Sequence, residues 1–210
     1  MKDFPQVQIE SREEWRSWLD ANHESAESIW LVTFKKASGK PYVAYDAVVE
    51  EAICFGWIDS LRRKLDDERS MLLLSPRKPG SAWSKVNKER VERMNAAEKM
   101  HPAGLRKIEQ SKADGSWTFL DDVEALIVPD DLAAALAEYE HAEENFSDFP
   151  RSVKRGILEW IKQAKRAETR SKRVRETAEL ASKNVRAVIK TTVPVAGIRS
   201  RSRSLECLLG

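Results

Sequence analysis

The sequence has few of the residues that build metal sites and covalent active sites. Only two cysteines occur among its 210 residues, Cys54 and Cys207, and neither has a second cysteine or a histidine at zinc-ligand spacing. The three histidines, His23, His101 and His141, are far apart. We therefore expect no metal, no cofactor and no disulfide, and the apolar neighbours of Cys54 predict a buried, unreactive thiol.

Long apolar segments and glycine-rich segments are also missing. No run of 18 apolar residues occurs, so the sequence predicts no transmembrane helix. Residues 1–6 lack the apolar segment of a secretory signal. Neither a phosphate-binding glycine loop nor the Gly-x-Ser-x-Gly turn of hydrolases is found. We expect a cytoplasmic protein that does not insert into membranes.

Charge, in contrast, is abundant and unevenly distributed. Charged residues make up 33% of the chain, with a net charge of +2. Residues 151–210 contain 16 of the 36 basic and 5 of the 34 acidic residues, whereas residues 1–150 contain 20 and 29. Three interpretations are open: the two parts attract each other, the basic end only keeps the chain soluble, or the basic end binds an anionic partner.

The basic end contains a candidate patch on predicted helices. A nucleic-acid partner would require a continuous positive surface with stacking aromatic residues, and the one nearby aromatic residue, Trp160, is predicted to lie in the core. Nucleic-acid binding is therefore an alternative that the sequence disfavours. The patch consists of Lys162, Lys165, Arg166, Arg170 and Arg173.

The pattern of apolar residues predicts an α+β fold. Residues 57–65 and 70–74 are predicted strands, and the turn between them is too short for a crossover, so they must be antiparallel. After residue 84 the pattern is helical. We predict a small, mostly antiparallel sheet packed with helices, followed by a helical C-terminal part.

The same pattern predicts a division of the chain into three parts. An α+β domain is expected over residues 1–120, and a helical C-terminal subdomain over residues 121–187. Residues 188–210 are rich in alternating arginine and serine and are predicted to form a disordered basic tail.

Several runs of residues form a combination known from one protein family. The most specific are the run Cys-Phe-Gly-Trp-Ile-Asp at residues 54–59 and the loop Pro-Arg-Lys-Pro at residues 76–79. With further runs over about residues 5–185, they resemble the YdeI/OmpD-associated (bacteriocin-protection) family. The resemblance implies a compact bacterial α+β protein linked to bacteriocin or envelope-stress protection, without an established catalytic mechanism or cofactor.

A candidate ligand-binding site combines the predicted strand over residues 57–65 with the proline-bounded loop at residues 76–79. The acid Asp59 and the pair Arg77-Lys78 could lie at the same end of the sheet and hold a small anionic or zwitterionic ligand, with Arg77 as the bidentate contact. The alternative is an ion pair between Asp59 and Arg77 that only fixes the loop. The candidate residues are Trp57, Asp59, Ser60, Arg77, Lys78, Ser81, Trp83 and Asn87.

Three functions stay open at this point. The favoured one is a stress-protection-type binding protein for a small anion or a protein partner, without catalytic residues. The second is an enzyme that uses Asp59 as a general base. The third is a nucleic-acid-associated protein that uses the basic end.

Overall fold

The computed structural model describes residues 4–187 and confirms an α+β fold with a helical C-terminal part. The predicted tail, residues 188–210, lies outside the described residues, and Cys207 with it. The strands are β1 (Gln6–Gln8), β2 (Ile29–Phe34), β3 (Trp57–Lys64) and β4 (Arg69–Pro76). The helices are α1 (Arg12–Asn22), α2 (Tyr45–Cys54), α3 (Lys85–Ala96), α4 (Pro102–Ala113), α5 (Asp121–Glu124), α6 (Asp130–Ala137), α7 (Ala142–Asp148), α8 (Arg151–Lys162) and α9 (Ala167–Ser182).

The four strands form one sheet in the order β1-β2-β4-β3. Strand β4 pairs antiparallel with both β2 and β3, and only the short β1 is parallel to its neighbour. The antiparallel pairing of β3 and β4 follows from the short acidic turn between them, as the sequence predicts. The loop after β4 leaves the sheet beside the start of β3, where the Arg77 amide donates to the Gly56 carbonyl oxygen at 2.9 Å.

A β-bulge interrupts the pairing of β3 with β4. Asp59 lies opposite Leu74, but Arg62, three residues on, lies opposite Leu72, so two residues of β3 face one residue of β4. Directly paired residues share a face of the sheet. The bulge therefore places Arg62 on the same face as Asp59, although simple alternation would place it on the other.

Helix starts next to the site are fixed by local side chains. Ser11 and Ser84 cap α1 and α3, since their hydroxyl oxygens accept the amide hydrogens of Glu14 and Asn87 at 3.0 and 3.3 Å. Helix α2 begins without such a cap, because the residue before it is Ala44, whose side chain accepts no hydrogen bond.

Buried hydrophobic residues form two clusters along the chain. The first runs from Ile9 to Ile108 and packs one face of the sheet against α1 to α4. The second runs from Leu120 to Ala187 and joins α5 to α9. We call the sheet with α1 to α4 the α+β half, and α5 to α9 the helical half. The two clusters come together near Ala82, which lies in the loop after β4 and packs against the second cluster. The division of the chain at residue 120 stays a prediction.

Within residues 4–187, no helix combines the length and the apolar character needed to cross a lipid bilayer. The cytoplasmic location stays a prediction.

Candidate functional site

The loop after β4 contains a deeply buried arginine. Arg77 is 2% exposed, and its guanidinium carbon lies 3.7 Å from the centre of the Trp83 ring. Its Nη1 donates to the carbonyl oxygens of Ser81 and Ala82 at 3.1 and 3.2 Å. Its Nε and Nη2 have no hydrogen-bond partner in the described part of the chain. Because buried N–H groups nearly always have partners, this arginine calls for an explanation other than packing.

The charge of Arg77 is also uncompensated at close range. Burial lowers the pKa of Arg77 to about 10, and the more distant Asp59 carboxylate opposes that change. The guanidinium group therefore stays protonated at neutral pH. Among residues 4–187, no ion pair joins Arg77 to Asp59, so the alternative of a simple loop-fixing ion pair is not what the structure contains.

Asp59 is instead bonded to a tyrosine that the sequence analysis missed. The Tyr45 hydroxyl donates to Asp59 Oδ2 at 2.6 Å. Burial, followed by the hydrogen bond and the charge of Asp59, raises the pKa of Tyr45 above its usual value, so the phenol remains a neutral donor. Tyr45 is the first residue of α2, and no feature of the local sequence indicates that it reaches β3.

A second buried arginine was also missed. Arg90 forms an ion pair with Asp46, and its Nη1 donates to Asn87 Oδ1 at 2.8 Å. Its guanidinium carbon lies 5.8 Å from the centre of the Tyr45 ring. The i, i+3 spacing of Asn87 and Arg90 on α3 is the signal that could have linked them.

Three of the eight predicted site residues line one small cleft. Arg77, Lys78 and Ser81 form one side, and the other side is formed by the outer part of α4 and the turn that follows it. The cleft has a volume of about 160 Å³. On the helical side, the cleft is lined by Lys107, Gln110, Ser111, Asp114 and Ser116.

Hydrogen bonds to Asp114 hold the loop against α4. Its carboxylate accepts the amide hydrogens of Gly80 and Ser116 at 3.0 and 2.9 Å. The neighbouring Ser116 hydroxyl, followed by these two backbone bonds, lowers the pKa of Asp114. The lining of the cleft thus combines a carboxylate that is already bonded with an arginine whose Nε and Nη2 are not.

The other five predicted residues lie elsewhere. The buried Trp57 donates its indole N–H to the His23 carbonyl oxygen at 3.2 Å, and Ser60 donates to the Leu73 carbonyl oxygen at 3.4 Å. Trp83 supports Arg77 from within the core. Asp59 and Asn87 contact Tyr45 and Arg90, as described above. The predicted cluster is therefore split between the cleft and separate contacts outside its lining.

Most of the predicted basic patch is paired within the helical half. Lys162 forms an ion pair with Asp122 at 2.5 Å. Arg170 contacts Asp131 at 2.7 Å, and Arg173 donates to the Trp160 carbonyl oxygen. Arg173 has this hydrogen bond but no ion pair, and Lys165 and Arg166 have neither an ion pair nor a side-chain hydrogen bond among the described residues. Pairing of this kind favours the interpretation that acidic and basic segments attract each other.

Neither cysteine chemistry nor a metal site emerges from the described residues. Cys54 is buried, and burial raises the pKa of its thiol to about 11, which makes it the unreactive thiol that the sequence predicts. Residues 4–187 contain no group of three or more histidine, cysteine, aspartate or glutamate side chains placed to hold a metal ion.

Comparison with protein families gives two matches. Residues 125–184 match the family described as bacteriocin-protection, YdeI or OmpD-associated, which confirms the resemblance for this part of the chain. Residues 7–107, which include Arg77, match a domain of unknown function, DUF8412. No match was found among curated proteins or solved structures.

Proposed function

We propose that this protein, whose residues 125–184 match the bacteriocin-protection, YdeI or OmpD-associated family, is a stress-protection-type binding protein that holds a small anion at Arg77. The observation that supports this most directly is the buried guanidinium group whose Nε and Nη2 lack partners among the described residues. These two N–H groups form the parallel pair that binds both oxygens of a carboxylate or phosphate.

The charges around the cleft favour an anion. Arg77, Lys78 and Lys107 contribute three positive charges to its lining, and Asp114 is the one acidic side chain there. Since Asp114 already accepts two backbone hydrogen bonds, it competes weakly for the cations. A net charge of about +2 suits a doubly charged oxyanion, with phosphate as the simplest example.

The size and polarity of the cleft restrict the ligand further. The cleft is small, about 160 Å³ with its open mouth included, so a single oxyanion or the anionic end of a longer molecule fits better than a nucleotide. Catalysis by Asp59 is less well supported, because its carboxylate accepts from Tyr45 and does not line this cleft. A general base must reach the proton that it removes.

Thermal unfolding in the presence of small anions tests this proposal. Phosphate, sulfate and acetate are compared at constant ionic strength, with wild type, Arg77→Met, Lys107→Met and the control Arg166→Met. We expect phosphate at about ten times its Kd to raise the Tm of wild type and control by about 2–6 °C. Arg77→Met should abolish the rise and Lys107→Met should reduce it. Equal responses in all four proteins would disprove a site at Arg77.

A further inference from the structure

The bulge in β3 has a second consequence, at the end of the sheet away from Arg77. Across the three adjacent strands, Leu31 pairs with Leu72, and Leu72 pairs with Arg62. The three side chains therefore form one row on the same face, two leucines followed by a guanidinium group. Without the extra residue in β3, Leu61 would stand opposite Leu72 and the row would be entirely apolar.

This row is the floor of a groove of about 350 Å³. Its walls come from the segment that leads into α2 and from α2 itself: Tyr42, Val43, Tyr45 and Val48. Leu31, Val43 and Val48 are buried, whereas Tyr42 remains 44% exposed at the rim. Because the two leucines of the floor are buried, the surface that the groove presents is the Tyr42 ring beside the exposed Arg62.

Arg62 is the only charged side chain among the described residues that line the groove. Its guanidinium group forms no ion pair or hydrogen bond with any residue from 4 to 187. Asp59, on the same face, is already bonded to Tyr45. A single positive charge beside apolar surface is complementary to a molecule that carries one negative charge on an apolar body.

We propose that this groove is a second binding site, separate from the Arg77 cleft, for a small carboxylic acid with an aromatic or branched apolar body. The carboxylate contacts Arg62 through paired N–H groups, and the body packs on the Tyr42 ring at the rim of the groove. The groove is the larger of the two and is lined by one charged side chain, whereas the Arg77 cleft is smaller and more strongly charged. The two sites should therefore select different anions.

Protein NMR of the full chain with benzoate, benzyl alcohol and phosphate tests this inference. Benzoate should shift the backbone amide signals of Leu31, Val43 and Leu72 with saturable binding. Arg62→Met, which keeps an unbranched side chain without the charge, should weaken benzoate at least fivefold. Arg77→Met should leave benzoate binding unchanged while it abolishes any response to phosphate.

Each other outcome overturns the inference. Equal binding of benzyl alcohol and benzoate would mean that the charge of Arg62 is not recognised. Loss of benzoate binding in Arg77→Met alone would assign the carboxylate to the other cleft. Absence of saturable shifts in the wild-type protein would mean that the groove takes no such acid, whether or not phosphate binds at Arg77.

Discussion

The two halves of the protein each contain a buried or partly buried arginine, and the two arginines differ in whether they have carboxylate partners. In the helical half, Arg155 lies 2.8 Å from both Glu124 and Glu159, so a partly buried cation has two carboxylate partners. In the α+β half, Arg77 is more deeply buried and has no carboxylate partner among the described residues. Because an unpaired buried charge is the more costly of the two, stability explains the first arrangement and not the second. Arg77 is therefore a better candidate for a functional residue than the basic residues at the C-terminal end of the helical half.

The largest effect should come from a substitution that disturbs the α+β half alone. A Cβ added at Gly104 would lie 2.1 Å from the Cys54 carbonyl oxygen and 2.8 Å from that of Ile53. Both are backbone atoms, so Gly104→Ala must separate α4 from α2. We expect it to lower the free energy of unfolding by about 3 kcal/mol, measured by urea denaturation.

Hydrogen exchange of Gly104→Ala then tests whether the halves are distinct. Amides of β2 to α4 should exchange faster, while those of α7 to α9 keep their protection. Gly39→Ala is the control, because Gly39 has positive φ but open space around it and should cost only about 1 kcal/mol. Equal acceleration throughout residues 4–187 would show that the two hydrophobic clusters unfold as one unit.

The next largest loss of stability is expected when Arg155, the paired arginine of the helical half, is replaced. Arg155→Met removes the shared partner of Glu124 and Glu159, whose side chains are mostly buried. Loss of one member of a fully buried ion pair costs about 3–5 kcal/mol, and partial exposure reduces this, so we expect a loss of about 2 kcal/mol. The check is the urea midpoint at pH 7. A change below about 0.5 kcal/mol would remove the contrast between the halves.

The matching substitution in the α+β half should change stability less. Arg77→Met loses two hydrogen bonds and the contact of the cation with Trp83. It also removes a charge that burial disfavours, as the lowered pKa of Arg77 indicates. These contributions oppose each other, so we expect a net change within about 1 kcal/mol in the same urea experiment. A loss above about 3 kcal/mol would mean that Arg77 serves the fold and not a ligand.

Local features of the sequence were sufficient to predict the fold class but not the arrangement of the sheet. The acidic turn at residues 66–68 determines the antiparallel pairing of β3 and β4, and Ser11 marks a helix start through its own side chain. The central position of β4 and the parallel pairing of β1 depend on contacts between distant segments. Alternation of side chains along β3 is interrupted after Asp59 by the bulge, which places Arg62 on the same face as Asp59. No residue type at this point of the sequence predicts a bulge.

The candidate site was predictable in its residue types and less so in its geometry. A proline-bounded loop with Arg77 suggests an anion contact from sequence alone. The burial of Arg77 depends on its stacking with Trp83 and on the bonds that Asp114 makes to the loop, both of which require the folded chain. Tyr45 was missed because its partner Asp59 lies on another element.

The smallest effect, and the last difference between the halves, concerns pH. In the α+β half, His101 Nδ1 accepts the Ala103 amide hydrogen at 3.2 Å at the start of α4, and its ring lies 4.8 Å from that of His23. Burial, with His23 as a further cause, lowers the pKa of His101. In the helical half, the His141 side chain is 65% exposed.

The direction of the pH effect follows from the lowered pKa of His101. The fold favours the neutral ring of His101, so its contribution to the free energy of unfolding is complete above the unfolded pKa of about 6.5. This contribution is lost as pH falls through the folded pKa. His101→Asn keeps a capping oxygen that does not titrate, so between pH 7.5 and 5 wild type should lose about 0.5–1 kcal/mol more than the variant. Urea denaturation at both pH values measures this, and His141→Asn should match wild type. Parallel pH curves for His101→Asn and wild type would mean that protonation does not disturb the start of α4, since the carboxylates contribute equally to both proteins.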